Sequence, residues 1–212
     1  MYKEIIEKLK ENAEPSFAQW LKPYINIGDD SEEIVLGVRT PKLRKYAKII
    51  AEKVDFKDVQ NLLESGIHDA KALAIFILLI KSKKEPQKTC EFYLNNLIHI
   101  NNWDLIDYSA PHIVAPNVNF DTLRKLANSD YLWANRVAIV STIYFIKQGD
   151  FSLTLEFAKK FINHKHHLMH KATGWMLREI GKKDEQKLRE FLAKYSNVMP
   201  SIMRNYAKEK LK

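Results

Sequence analysis

The sequence has very little cysteine and no long apolar run, and each absence narrows the kind of protein it encodes. Cys90 is the only cysteine among 212 residues, which excludes an internal disulfide and any cysteine-based zinc site. Its apolar helical surroundings predict a buried thiol. The longest apolar run, Ala72 to Ile80, is far shorter than the roughly 20 residues of a membrane-spanning helix. Because no charged-then-apolar leader opens the sequence, we expect a soluble, intracellular protein.

The sequence also lacks the period-two alternation of apolar and polar residues that marks half-buried strands. Apolar residues instead recur at helical spacing, in segments separated by short loops such as the one predicted at Gly28–Ser31. The first helices are predicted to begin at Tyr2, at Pro15 and, with Thr40 as its cap, at Pro41. The second should bend or end at Pro23. Later helices are predicted at residues 56–63, 69–81, 86–100, 102–114, 120–128, 132–147, 151–163, 167–180, 185–195 and 200–211.

About a dozen helices joined by short loops should form antiparallel pairs, and stacked pairs make an α-solenoid. Arg136 lies 33 positions after Trp103 and 39 before Trp175, close to the roughly 34 to 47 residues of a two-helix repeat. With 46% hydrophobic residues, the chain can fill one core. The sequence therefore predicts an all-α solenoid forming a single domain over residues 1–212. Its concave face should carry Trp103, Asp107, Arg136, Trp175 and Arg178.

Acidic residues are outnumbered by basic ones, 26 to 34, which gives a net charge of +8 and a pI near 9.3. An excess of this size favours an anionic partner, of which nucleic acid and acidic membrane surfaces are the usual kinds. Many lysine-rich proteins are basic for solubility alone, so charge does not choose between these interpretations.

The stretch Asn101–Val114 carries the most unusual side chains of the sequence. If Asn102 caps a helix, Trp103 and Asp107 lie one turn apart on the same face, while Leu105, Ile106 and Ala110 supply the buried face. A lone tryptophan on a helix is usually part of the core. The acid one turn away shifts that balance, because a carboxylate has little reason to accompany a buried indole.

Three other features have competing interpretations. Arg136, inside an apolar helix, could bind phosphate through its planar fork. It could instead extend its charged end to the surface, or pair with Asp130 or Glu156. Trp133 has apolar neighbours and no acid partner, so it is predicted to be structural. A histidine cluster precedes and enters one helix, but no carboxylate has the spacing of a zinc site, and solvated surface is the preferred interpretation. Its members are His164, His166, His167 and His170.

Four motifs then identify a resemblance. They are Gly37-Val38-Arg39-Thr40-Pro41-Lys42-Leu43-Arg44, Asn102-Trp103-Asp104-Leu105-Ile106-Asp107, Leu132-Trp133 with Arg136 and the following Val-Ala-Ile-Val-Ser-Thr, and Lys171-Ala172-Thr173-Gly174-Trp175-Met176-Leu177-Arg178-Glu179. In this order and spacing, from about Gly37 to the C-terminus, they resemble the DNA alkylation repair family of AlkD type. The resemblance implies HEAT-like helical repeats with a basic concave face and DNA glycosylase activity on cationic N3- and N7-alkylpurines.

The resemblance also implies which residues act. The family's aromatic–acid pair falls on Trp103 and Asp107, its arginine on Arg136 and its later tryptophan on Trp175. Further DNA-binding residues are expected at Arg178, Lys171, Arg39 and Arg44. The implied partner is double-stranded DNA with alkylated purines, bound by a cytoplasmic, nucleoid-associated monomer that needs no metal, small-molecule cofactor or membrane. The family often has arginine where this chain has Asn135, Ser201 and Asn205, which affects expected contacts with the DNA backbone.

The chemistry of the residues fits that activity. An alkylated cationic purine is already a good leaving group, so one carboxylate can both stabilise an oxocarbenium-like sugar and assist water. Asp107 is the predicted carboxylate, and two indoles can pack against a sugar that becomes positive. Two alternatives need no Asp107. One is a non-catalytic HEAT-repeat module that binds damaged or branched DNA, and the other is a protein-binding solenoid with an apolar groove.

Overall fold

The computed structural model describes residues 1–25 and 33–211, and the loop predicted at 28–31 lies outside them. Within the described ranges the regular elements are all helices, and the only strand-like pairing is an isolated parallel bridge between Ile34 and Ile67. The predicted all-α class is therefore confirmed. The basic concave face stays a prediction.

The chain divides into two compact units, Met1–Leu105 and Ile106–Lys212, here called unit 1 and unit 2. In both units, helices that follow one another along the chain pack together, α4 (Phe56–Leu63) with α5 (His68–Lys81) and α8 (Phe120–Ala127) with α9 (Leu132–Ser141). This pairing is consistent with the predicted helical solenoid. The prediction of one domain over residues 1–212 stays a prediction.

Unit 1 is built around α5. Its long apolar run fills the core, with Leu73, Ala74 and Ile77 fully buried, because a helix that is apolar on all sides must be covered on all sides. It packs against α1, α3 and α4. The other helices of this unit are α1 (Tyr2–Glu11), α2 (Pro15–Ile25), α3 (Thr40–Ile50) and α6 (Pro86–Asn95), and a short 3-10 helix covers Leu97–His99.

Helix α7 (Trp103–Ile113) begins at the end of unit 1 and continues into unit 2. Unit 2 has α12 (His167–Lys183) at its centre, packed against α9, α10, α11, α13 and α14. A Cβ atom at Gly174 would lie 2.5 Å from the Met203 carbonyl oxygen, so glycine lets α12 and α14 approach closely. The remaining elements are α10 (Ile143–Lys147), α11 (Ser152–Phe161), α13 (Glu185–Tyr195), α14 (Ser201–Lys208) and the 3-10 helix Ala115–Asn117.

The predicted helices differ from the observed ones mainly where side chains interrupt the backbone pattern. The helix predicted over 86–100 ends at Asn95, and the Asn96 amide bonds back to the Phe92 carbonyl. The helix predicted over 132–147 is divided at Thr142, whose hydroxyl donates to the Ile139 carbonyl. Such local side-chain bonds compete with the helical ladder.

Pro23 lies inside α2, whose described residues run to Ile25, and the predicted bend there stays a prediction. One boundary near a proline differs from prediction. The capping position of α3 is Arg39, not Thr40, and no side-chain bond caps it. The Cys90 thiol is buried as predicted, and burial raises its pKa to about 11. Among the described helices, none is both long and apolar enough to cross a membrane.

Candidate functional site

Helix α7 places Asp107 between a buried face and solvent. Leu105, Ile106 and Ala110 are buried as predicted, whereas the Asp107 side chain keeps 18% of its surface exposed. The Asn102 side-chain oxygen accepts a hydrogen bond from the adjacent Trp103 backbone N–H at 2.9 Å. A helix cap normally accepts from the second or third residue of the helix, so the capping role of Asn102 stays a prediction. The carboxylate is therefore held on an ordered helix and is still accessible.

Arg136 of α9 binds this carboxylate with both sides of its fork. Its Nε donates to Asp107 Oδ1 at 2.9 Å and its Nη2 to Oδ2 at 2.7 Å. Two parallel bonds from a planar guanidinium fix a carboxylate's position and plane, as a single lysine bond would not. Arg136 is only 4% exposed, so the cation is buried and the anion faces outward.

The third side of the Arg136 guanidinium is anchored to α12. Its Nη1 donates to the Leu168 backbone carbonyl at 2.9 Å, and the Leu168 N–H donates in turn to His166 Nδ1 at the helix cap. The competing interpretation that Arg136 pairs with Asp130 or Glu156 is wrong, since its carboxylate partner is Asp107 and Glu156 binds Arg124. The pairing of Asp107 with Arg136 was not predicted from the sequence.

Trp175 follows Leu168 by seven residues in α12, so it lies two turns, or about 10 Å, further along the same side of the helix. Its indole N–H donates to Glu179 Oε1 at 3.0 Å, which fixes the ring on the helix surface. The ring itself is half-buried. Part of the Trp175 side chain is thus exposed on the helix that anchors Arg136.

Arg178, which is also predicted on α12, is oriented by acids. Arg178 forms ion pairs with Glu209, through Nη1, and with Glu179, through Nε at 3.6 Å. Its side chain is 18% exposed, so phosphate binding would require exchange of an acidic partner. Lys171 lies half-buried one turn after Leu168.

In unit 1, Trp103 is tied to the end of α2. Its indole N–H donates to the Tyr24 carbonyl at 2.8 Å, and the Asn102 amide donates to the adjacent Ile25 carbonyl at 3.0 Å. Both bonds reach backbone carbonyls in the last described turn of α2. They hold the first residue of α7 and the last residues of α2 together, with the Trp103 ring half-buried.

A buried network of charges lies just before α7 and was not predicted. His68 bonds to Glu33 through Nδ1 at 2.7 Å and to Asp104 through Nε2 at 2.9 Å, and Lys71 Nζ donates to Glu33 at 2.5 Å. Burial opposes protonation of His68, but Asp104 and Glu33 outweigh it and raise its pKa to about 10. Burial likewise opposes the charge on Glu33, yet bonds from His68 and Lys71 lower its pKa.

Arg39 and Arg44 lie on the exposed side of unit 1. Arg39 Nε binds Glu14 at 2.8 Å while its guanidinium carbon lies 3.7 Å from the centre of the Phe17 ring. Arg44 lies 5.0 Å over the Phe76 ring. Cations in such contacts are positioned without being neutralised fully by the ring. Whether they bind DNA stays a prediction.

The histidines before α12 act as backbone caps more than as solvated surface. The His164 and His166 rings accept backbone N–H groups, and His170 Nε2 bonds to the His164 carbonyl at 2.6 Å. Burial lowers the pKa of both His164 and His166. Across the part of the chain that the structure describes, no three His, Cys, Asp or Glu side chains are grouped to hold a metal.

Asn135, where the family often has arginine, is also structural in this chain. Its side-chain amide donates to the backbone carbonyls of Leu126 and Ser129 at 3.0 and 2.8 Å, and its oxygen lies 3.2 Å from His164 Nε2. Asn135 is buried. In this chain the Asn135 amide therefore closes the loop after α8.

Comparison with known proteins agrees with this architecture. A family model described as DNA alkylation repair enzyme matches residues 5–211. A solved structure described as a predicted DNA alkylation repair enzyme from Enterococcus faecalis is 15% identical, with 95% of each chain covered and a TM-score of 0.69. No match was found among curated proteins. Because the family model covers nearly the whole sequence, the chain belongs to the DNA alkylation repair enzyme family.

Proposed function

We propose that the protein is a DNA glycosylase that releases cationic N3- and N7-alkylpurines from duplex DNA, with Asp107 as its central catalytic group. The observation that carries the proposal is the geometry of Asp107, a partly exposed carboxylate whose plane is fixed by two bonds from a buried arginine. A preorganised charge of this kind stabilises an opposite charge that develops in the transition state without having to reorganise.

The reaction needs little more than this carboxylate. The bond between C1′ and the purine nitrogen breaks, and its electron pair neutralises the positive base, so no acid has to protonate the leaving group. The sugar becomes an oxocarbenium-like cation that Asp107 stabilises. Water then adds its oxygen to C1′ and gives a proton to Asp107 or to solvent, and the carboxylate assists as a general base.

Arg136 is proposed to position Asp107. Its buried fork holds the carboxylate and also balances its charge, so that the pair presents little net negative charge to a polyanionic backbone. The sequence also predicts a phosphate contact for Arg136. A guanidinium has five N–H donors, three of which are used by Asp107 and Leu168.

The remaining predicted residues receive binding roles. The Trp175 and Trp103 rings are proposed to pack against the lesioned nucleotide, where an indole face favours a cationic base or sugar. Arg178, Lys171, Arg39 and Arg44 are proposed to bind the DNA backbone, whose phosphates fix the orientation of a protein. The proposal includes action as a monomer in the cytoplasm, in association with the nucleoid.

The proposal is tested by Asp107→Asn, which keeps the shape of the side chain and removes its charge. We expect single-turnover release of 7-methylguanine from duplex DNA to fall on the order of 10²-fold or more, the range typical of deleting one preorganised electrostatic group. DNA affinity should stay level or rise, because Arg136 is left with its charge unbalanced. Asp121→Asn, at an exposed acid of α8, is the matched control and should release base at the wild-type rate.

The same experiment addresses the alternative function. A folded Asp107→Asn variant with full excision activity would disprove the mechanism. If the wild-type protein binds duplex DNA tightly but releases no alkylpurine, the alternative of a non-catalytic HEAT-repeat module that binds damaged or branched DNA is favoured instead. In that case the ion pair between Asp107 and Arg136 serves to hold α7 and α9 together.

A further inference from the structure

Helix α2 in unit 1 is unusual because it buries so little of itself. Ile25 is its only buried residue, yet the helix carries three aromatic side chains on one side, Phe17, Trp20 and Tyr24. Trp20 is 59% exposed and Tyr24 is 50% exposed. Large exposed aromatic rings cost hydration free energy, and a contiguous group of them usually marks a binding surface.

The three rings form a continuous ladder, here called the α2 aromatic face. The ring centres of Phe17 and Trp20 are 5.6 Å apart with planes only 15° from parallel, and those of Trp20 and Tyr24 are 5.2 Å apart. Their spacing of three and four residues puts them on the same side of the helix. The ladder therefore offers flat π surfaces to solvent, and Trp20 lies at its centre.

Cations flank one end of this ladder. Arg39 stacks on the Phe17 ring and binds Glu14, and Lys42 Nζ binds the same carboxylate at 3.0 Å. Two positive charges thus share one negative charge, which leaves the edge of the ladder net positive. Aromatic rings bordered by arginine and lysine are the combination that proteins use to stack bases while tracking a phosphate backbone.

The other end of the ladder leads to Trp103. The Tyr24 carbonyl that closes α2 accepts the Trp103 indole N–H, so the fourth ring is fixed to the same helix end. The partners that the structure describes at the two ends of the ladder are thus cations and a tryptophan proposed to contact DNA, which fits a nucleic acid better than an acyl chain or an apolar helix.

We propose that the α2 aromatic face is a stacking site for an unpaired nucleobase of the bound DNA, with Trp20 as its main contact. The inference rests on the proposed function for the identity of the polymer. It adds a second class of contact to that function. The site would bind the π face of a base displaced from the DNA duplex, and that base needs neither an alkyl group nor a charge.

The test compares Trp20→Ala with Trp20→Phe in the full-length protein. Affinity is measured for a duplex with a single-nucleotide bulge and for a fully paired duplex of the same length. Loss of one base–aromatic stack should weaken binding to the bulged duplex by about 5- to 100-fold, with a much smaller effect on the paired duplex. The Phe variant should retain most of the affinity, and the slope against salt should not change, since no phosphate contact is lost.

Ile49→Ala is the matched control, because Ile49 of α3 is 62% exposed in the same unit. Its substitution removes exposed apolar surface without removing a ring. Equal affinity of wild type and Trp20→Ala for the bulged duplex would overturn the proposal. So would a loss shared by the Ile49 variant, or Trp20 fluorescence that responds to anionic lipid vesicles and not to DNA.

The outcome is separable from that of the proposed function, because binding is measured without excision. A wild-type protein that excises alkylpurines while Trp20→Ala binds bulged DNA normally disproves only the stacking site. A wild-type protein that excises nothing, but whose affinity for bulged DNA depends on Trp20, keeps the stacking site and disproves the glycosylase. Absence of any DNA binding disproves both.

Discussion

Two carboxylates of α7, three residues apart, are each held by a buried cation. Asp104 in unit 1 binds His68, and Asp107 in unit 2 binds Arg136. Their exposures are nearly equal, 21% for the Asp104 side chain and 18% for Asp107. Exposure and an adjacent cation therefore do not distinguish a structural acid from the acid that is proposed to be catalytic.

The two pairs differ in what else the cation binds. His68 continues to Glu33, which binds Lys71, which binds Asn101, so two positive and two negative charges join three chain segments in one network. Arg136 instead binds both oxygens of a single carboxylate and ends on a backbone carbonyl. Asp104 thus belongs to a network that fixes the start of α7, whereas Asp107 is a partly exposed anion whose two oxygens are held by one guanidinium.

Substitution of His68 should separate the roles of the two acids most clearly. His68→Leu removes the cation shared by Glu33 and Asp104, and leaving buried charges without a partner should lower the free energy of unfolding by about 3–5 kcal/mol. Base release per folded molecule should stay within about threefold of wild type, because Asp107 keeps its support. Urea unfolding and single-turnover excision measure the two effects. His99→Leu, at a half-exposed histidine 3.8 Å from Glu64, is the control and should change stability little.

The pH dependence of stability gives a second test of the His68 network. Because the folded pKa of His68 is about 10 against 6.5 for the free group, its stabilisation is complete below about pH 6.5 and is lost as the pH rises toward 10. Between about pH 7 and 8.5 the free energy of unfolding should fall by at most about 1.4 kcal/mol per pH unit. A His68→Leu variant with the same slope as wild type would contradict this account.

Arg136 gives the next largest expected effect. Arg136→Lys keeps a charge but loses the fork, so Asp107 is held less precisely and single-turnover excision should fall on the order of 10-fold. Arg136→Met should lower it further. If Arg136 acts by positioning Asp107, the salt dependence of DNA binding stays unchanged. The phosphate role predicted from sequence requires that slope to flatten by roughly one unit in the Met variant.

The sequence was most informative where function depends on residues within one helix. Trp103 and Asp107 share α7, and Trp175, Lys171 and Arg178 share α12, so helical periodicity alone could group them. Contacts between helices were not accessible in this way. The pairing of Asp107 with Arg136 spans 29 positions, and periodicity within one helix says nothing about which side chain of another helix it meets.

The network around His68 was missed for a related reason. Glu33 precedes α3, His68 begins α5 and Asp104 follows Trp103, so nothing in local spacing links them. One signal was available, since α5 opens with His68, Asp69 and Lys71 before its apolar run. Three polar residues at the start of a fully buried helix require partners. Asp69 has them in the N–H groups of Leu36 and Val38.

The smallest expected effect concerns a third acid–base pair, that of Arg178 with Glu209 in unit 2. Here both partners lie nearer the surface, and the Glu209 side chain is 46% exposed. The Arg178 bond lowers the pKa of Glu209, so the acid is charged at neutral pH and would compete with a DNA phosphate if Arg178 binds one as proposed. Glu209→Gln should therefore raise affinity for duplex DNA by about two- to fivefold, the scale of an exposed ion pair. Glu190→Gln removes the same charge from an exposed pair with Lys187 and corrects for the change in net charge.

Equal gains in the two variants would show that Arg178 does not reach a phosphate. A gain confined to Glu209→Gln, and abolished when Arg178→Gln is added, would identify Arg178 as a backbone contact that the C-terminal acid occupies until DNA displaces it.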